Sequence, residues 1–132
     1  MAESGLISIP SPVSVRETVD RVVALLETKG LTIFARIDHG ANADRAGIDL
    51  RPTELLIFGT PQAETPLMQA RQTVGLDLPL KALAWEDEHG KVWLTYNDPA
   101  WLAQRHDLGE ANTAAISAIT AGMNQIANAL KG

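Results

Sequence analysis

Two stretches of this chain carry apolar residues at helical spacing, and they lie far apart. Val15, Val19, Val22, Val23 and Leu26 form one stripe; Ile116, Ile119, Met123, Ile126 and Leu130 form the other. Between them the apolar runs are short and end in turn residues. Long helices therefore alternate too rarely with strands for a doubly wound parallel sheet. The order strand, helix, four strands, helix predicts an α+β fold: a mainly antiparallel sheet, both long helices on one face, short helices in the loops.

Local signals place the elements. Leu6 to Ile9 reads as a short strand closed by Pro10 and Pro12. Ser14 followed by Glu17 is a capping-box pattern for the first helix, and Gly30 stops that helix. Leu31, Ile33, Ala35 and Ile37 alternate with Thr32, Phe34, Arg36 and Asp38, which predicts a strand with one face more buried. His39-Gly40 ends it, and Asn42 to Ala46 suits one helical turn stopped by Gly47. Glu54 to Phe58 is continuously apolar after its first residue, so burial on both faces or a central position is expected. Thr65 and Pro66 read as N-cap and N1 of a helix through about Arg71, and Gly75 to Pro79 as loop. Lys81 to Asp87 and Lys91 to Tyr96 form a hairpin around Glu88-His89-Gly90. Asp98-Pro99 opens a short helix through about Arg105. The last helix runs from about Asn112 to Lys131, with Ala111, Ala115, Ala118 and Gly122 beside its stripe to allow close approach.

The chain has 132 residues, enough for one domain, and 45% of them are hydrophobic, enough for a core. Its net charge of -5 is the wrong sign for a nucleic-acid binder, whose affinity rests on phosphate neutralisation. The same sign disfavours anionic lipid. No cysteine is present, which removes disulfides, thiolate metal sites and thiol chemistry. The opening residues Met1 to Gly5 lack signal-peptide features, and no apolar run approaches the ~20 residues of a membrane span. A soluble cytoplasmic protein is the expectation.

Asp38-His39 is the leading place for chemistry. A histidine at a strand end beside a carboxylate can act as general base or hold a ligand. The structural alternative is that His39 bonds loop backbone while Asp38 caps the following helical turn. His39, His89 and His106 are too far apart for metal-ligand spacing, so no metal and no cofactor is expected. Phe58-Gly59-Thr60-Pro61 could bring backbone close to a ligand, but it lacks the glycine density of a phosphate loop; a strand-ending turn is the simpler reading. Trp85 and Trp93 fall on the two arms of one hairpin, where they would pack across strands.

The chain resembles the domain of unknown function 302 family. The resemblance rests on Lys29-Gly30, then Ile37-Asp38-His39, then Phe58-Gly59-Thr60-Pro61, Leu67-Met68, Asp77-Leu78-Pro79-Leu80-Lys81, and a hairpin with Glu86, Asp87 and Gly90. It covers nearly the whole chain in order. It implies a TBP-like α+β arrangement, strand-helix-four strands-helix, in a protein that is often a dimer; it implies no established activity.

Two functional expectations follow. The first is a small homodimeric binding module for a metabolite or protein partner, with Asp38, His39, Arg45, Phe58 and Gly59 as candidate ligand-binding residues. The second is a small enzyme using His39, supported by Asp38, Asp44 or Arg45. In a simple meander, alternate strand ends lie at opposite ends of the sheet. The His39 end would then join the Gly90 turn, and the Pro61 end would join Pro79 and Asn97, far from it.

Overall fold

The computed structural model describes residues 4–131; Met1–Glu3, part of the segment read for leader features, and Gly132 lie outside the described residues. The strands are β1 (Leu6–Ser11), β2 (Thr32–Asp38), β3 (Thr53–Gly59), β4 (Leu80–Glu86) and β5 (Val92–Asn97). The helices are α1 (Val15–Thr28), α2 (His39–Arg45), α3 (Pro61–Ala70), α4 (Pro99–Arg105) and α5 (Thr113–Lys131), with short 3-10 turns at Gln72–Asp77 and Glu110–Asn112. The sheet order is β1-β5-β4-β3-β2 and every pair is antiparallel. β2 to β5 therefore form a meander, and β1 lies beside β5. This is the expected α+β architecture.

Each end of α1 has a local cause. The Ser14 hydroxyl accepts the Glu17 N–H at 3.1 Å. Only half of a capping box is present, because the Glu17 carboxylate turns to Arg21 at 3.7 Å. Buried Thr18 donates its hydroxyl to the Ser14 carbonyl at 2.7 Å and lies 2.6 Å from the Ser11 hydroxyl, which ties the end of β1 to the first turn. At the other end Gly30 takes a φ of +74°, the Leu31 N–H reaches Leu26 and the Gly30 N–H reaches Glu27. That Schellman pairing is what the Lys29-Gly30 step encodes.

The core lies between the sheet and the α1/α5 layer. Val15, Val19, Val22 and Leu26 of α1 and Ile119, Met123, Ile126 and Leu130 of α5 meet Leu56, Phe58, Ala82, Ala84, Leu94 and Tyr96 from alternate strand positions. Each fully buried leucine or phenylalanine here contributes about 1.5–3 kcal/mol from leaving water.

Four local expectations are corrected. First, α2 begins at His39, not Asn42, because Asp38 already caps it by accepting the Ala41 N–H at 2.8 Å. Second, α3 begins at Pro61, with Thr60 as its cap, and Pro66 falls inside the helix. Thr60-Pro61 and Thr65-Pro66 carry the same start signature, and the earlier pair wins because it directly follows the end of β3. Third, the period-two pattern of β2 is broken by a register shift between Ile33 and Ala35. Ile33 pairs with Phe58 on the helix side, whereas Ala35 and Ile37 pair with Ile57 and Leu55 on the other side. Fourth, β3 is an interior strand between β2 and β4 but is not buried on both faces. Leu56 and Phe58 are buried, while Leu55 and Ile57 are half-buried on the face without helices.

The hairpin follows its turn chemistry. Asp87 Oδ1 accepts the His89 and Lys91 N–H groups, each at 2.9 Å, and Oδ2 accepts the Trp93 indole N–H at 3.0 Å. Trp85 and Trp93 are direct cross-strand partners, stacked with ring centroids 6.4 Å apart.

Candidate functional site

The meander separates the two sequence hallmarks by the length of a strand, about 20 Å. Asp38 lies at one end of the sheet with Thr53, Glu86 and the start of α1; Gly59 lies at the other with Thr32 and Leu80. They cannot contribute to one site within one chain.

At the Asp38 end, an open cleft of about 350 Å³ is lined by carboxylates of Asp38, Asp44, Glu54 and Glu86 and by Arg16. Three of its charged groups, Asp38, Arg16 and Glu54, are already engaged. Asp38 caps α2 and lies 3.8 Å from Arg16. Glu54, only 5% exposed, accepts from Arg36 at 3.0 Å, and Arg36 also holds Asp20 at 2.7 Å. His39 is half-buried at the first position of α2, and its ring bonds none of the described residues. Arg45 bonds Asn42 on the exposed end of the same helix. Among the described residues, no group of three His, Asp or Glu is placed to hold a metal ion. The cleft offers charged hydrogen-bonding groups but no nucleophile beside a base.

At the Gly59 end, sequence reasoning missed the decisive residue, Glu64. It stands one turn into α3 and faces inward with Leu67, three residues on. Its side chain is 5% exposed in an apolar setting. One carboxylate oxygen receives the Leu80 N–H; Oε1 has no hydrogen-bond partner among the described residues. Burial raises its pKa above the ordinary carboxylate value, against the opposing pull of the Leu80 N–H and the Lys81 ammonium. The carboxyl lies directly against Gly59: a Cβ there would stand 1.8 Å from Oε1. Phe58-Gly59 thus ends in glycine to admit a carboxyl.

Beside this pair is a half-open cavity of about 150 Å³, bounded by the β3–α3 turn, α5, Lys29, Leu31 and Leu80. The small residues of α5 were expected to permit close approach. Ala118 and Gly122 do the opposite here: both line the cavity, and a Cβ at Gly122 would meet nothing within 4 Å. The signal available in sequence was an acidic residue at i−3 from a core leucine, just after a strand-ending glycine.

A third cluster explains the Asp77-Leu78-Pro79 stretch. Buried His106 places Nε2 2.5 Å from Asp77 Oδ2, and Arg105 reaches the same carboxylate at 3.1 Å. The Thr73 hydroxyl lies 3.3 Å from His106 Nδ1. Carboxylate, imidazole and hydroxyl are aligned, but Thr73 is exposed on the 3-10 turn. The cluster fastens the end of α4 to the segment leading into β4.

Comparison with known proteins places the chain. A crystal structure of an uncharacterized conserved DUF302 protein from Bacillus stearothermophilus superposes with a TM-score of 0.79, covering 96% of both chains at 18% identity, which establishes a common fold. Two proteins named fluoride-specific ion channel FluC 1, from Brucella suis biovar 1 and Brucella abortus biovar 1, are each 56% identical over 124 residues. The match takes in 94% of this chain but 49% and 46% of theirs, so the chain spans about half the length of the curated relatives it matches. No described helix is long and apolar enough to cross a membrane. The family described as Domain of unknown function DUF302 matches residues 7–129, from β1 to the last turn of α5, and this chain belongs to it.

Proposed function

We propose that this chain is a non-catalytic binding module that acts as a homodimer, with the uncovered face of its sheet as the contact. One observation carries the reading: β3 is apolar on both faces, and the chain covers only one of them. On the open face Ile37, Leu55 and Leu83 stand side by side across three strands, next to Ile57, Trp85 and Trp93. Leu6, on the same face of β1, is 53% exposed. Apolar patches of this kind on a protein surface mark association sites. Five strands at about 4.8 Å spacing and six residues of about 3.3 Å give a face of roughly 500 Å². Two copies face to face bury about 1,000 Å², the threshold for a biological interface and the size of a weak, concentration-dependent one. An isologous pair also needs no second kind of protein. Sedimentation velocity tests the reading: a concentration-dependent species of twice the 14.2 kDa chain mass is expected, and a monomer at every concentration overturns it.

The enzyme alternative, with His39 as general base aided by Asp38 or Arg45, has less support. Asp38 serves as a helix cap, Arg45 is engaged with Asn42, and the His39 ring has no aligned partner.

A second reading is favoured by the Brucella proteins. In lipid, only helices or closed barrels satisfy the backbone, and this sheet is open, with β1 and β2 at its edges. We infer that the channel named in those relatives lies in the half this chain does not match, and that this domain works beside such a channel outside the bilayer. Deleting the chain from its host should lower fluoride tolerance; unchanged tolerance contradicts the link.

A further inference from the structure

We propose that the cavity beside Glu64 binds a small organic cation: a primary ammonium head on a compact apolar body. A buried carboxyl oxygen without a donor costs on the order of 1–3 kcal/mol, and such groups in folded proteins have a reason to persist. Glu64 Oε1 is in that position, packed against Gly59; the side chain lines the cavity, and its carboxyl turns from Gly59 to meet a ligand there. The remaining wall is apolar, with Leu31, Phe58, Leu80, Ile119, Met123 and Ile126. The other polar side chains of the wall are engaged: the Thr60 hydroxyl accepts the Ala63 N–H at 3.1 Å, and Lys29 bonds Gln125.

Size and charge narrow the ligand. The volume of about 150 Å³ matches an apolar cavity that takes up one benzene-sized molecule. A carboxylate held away from water repels an anion and gains from a cation that supplies charge-assisted N–H donors; the Lys81 ammonium acts on it only through its field, since it donates to the Pro79 carbonyl and not to Oε1. The position of Ala118 and Gly122 keeps this space open; larger residues there would fill it. The inference is independent of the dimer, because the cavity lies on the helix side of the sheet.

The test is an NMR titration of the wild-type protein, near neutral pH, with three probes that share a ring and differ in the head: benzylamine, benzyl alcohol and toluene. Benzylamine should give saturable shifts at the amides of Gly59, Glu64, Ala118 and Gly122, with affinity at least about tenfold above the other two, as a charge-assisted hydrogen bond allows. Glu64→Gln should bring benzylamine down to the level of benzyl alcohol, and Gly122→Leu should abolish binding of all three. Should Glu64→Gln fail to fold, the head-group series on the wild type decides alone. Equal affinity for the three probes, shifts centred elsewhere, or no saturation by benzylamine at millimolar concentration overturns the proposal.

Discussion

Gly59 and Glu64 occupy one space between them: the carboxyl of Glu64 sits where any side chain at position 59 would begin, 1.8 Å from the site of a Cβ. Gly59→Ala must therefore displace the carboxyl. A loss of about 1–3 kcal/mol is expected, the cost of moving a buried carboxyl off the Leu80 N–H it accepts. Glu64→Ala should relieve that clash, so the double variant should be more stable than the two single losses sum to. Urea denaturation of all four proteins measures the coupling.

Glu64 also sets a pH dependence. Its folded pKa is raised above the ordinary carboxylate value, with burial as the main cause. Between the unfolded and folded values the native state holds more protons than the unfolded chain. Stability therefore falls as pH rises through that window and levels off above the folded pKa. Glu64→Gln removes this slope. Denaturation curves collected from mildly acidic to neutral pH should converge at the acid end and separate upward, with the variant gaining relative to wild type.

The Asp77 carboxylate joins two residues at the end of α4. Asp77→Asn weakens two charge-assisted contacts at once, one to buried His106 and one to half-exposed Arg105. Most of the loss should come from the buried partner, since exposed ion pairs contribute little. About 1.5 kcal/mol is expected. Thermal unfolding checks it, and hydrogen exchange should show the change concentrated at α4 and the turn before β4.

The element order was legible in the sequence because it depends on spacing. Ser14, the Val15–Leu26 stripe and Gly30 each act within one or two turns, so α1 could be read locally. The turn at Glu88-His89-Gly90 and the Trp85–Trp93 pair were legible for the same reason. The shift between Ile33 and Ala35 was not, because a bulge changes register without changing the residues. The choice of Thr60 over Thr65 as helix cap was hidden too, since both precede a proline. Of the candidate site residues, Asp38 caps a helix, as its structural reading had it, and Gly59, singled out for letting backbone approach a ligand, admits a side chain of its own chain. What approaches it, the Glu64 carboxyl, follows only from tertiary packing. The continuous apolar run of β3 pointed to double burial or a central position; the strand is interior to the sheet, and its second face is what a partner copy would cover.

That uncovered face is the central claim, and Leu83 lies near its middle, paired with Leu55 on one side and Thr95 on the other. Sedimentation equilibrium of Leu83→Glu against wild type tests it, with Ala121→Glu on the exposed side of α5 as the matched charge control. Wild type and Ala121→Glu should be dimers, and Leu83→Glu a folded monomer, at the same concentrations. A dimer that survives Leu83→Glu unchanged, or is lost equally in Ala121→Glu, would contradict it.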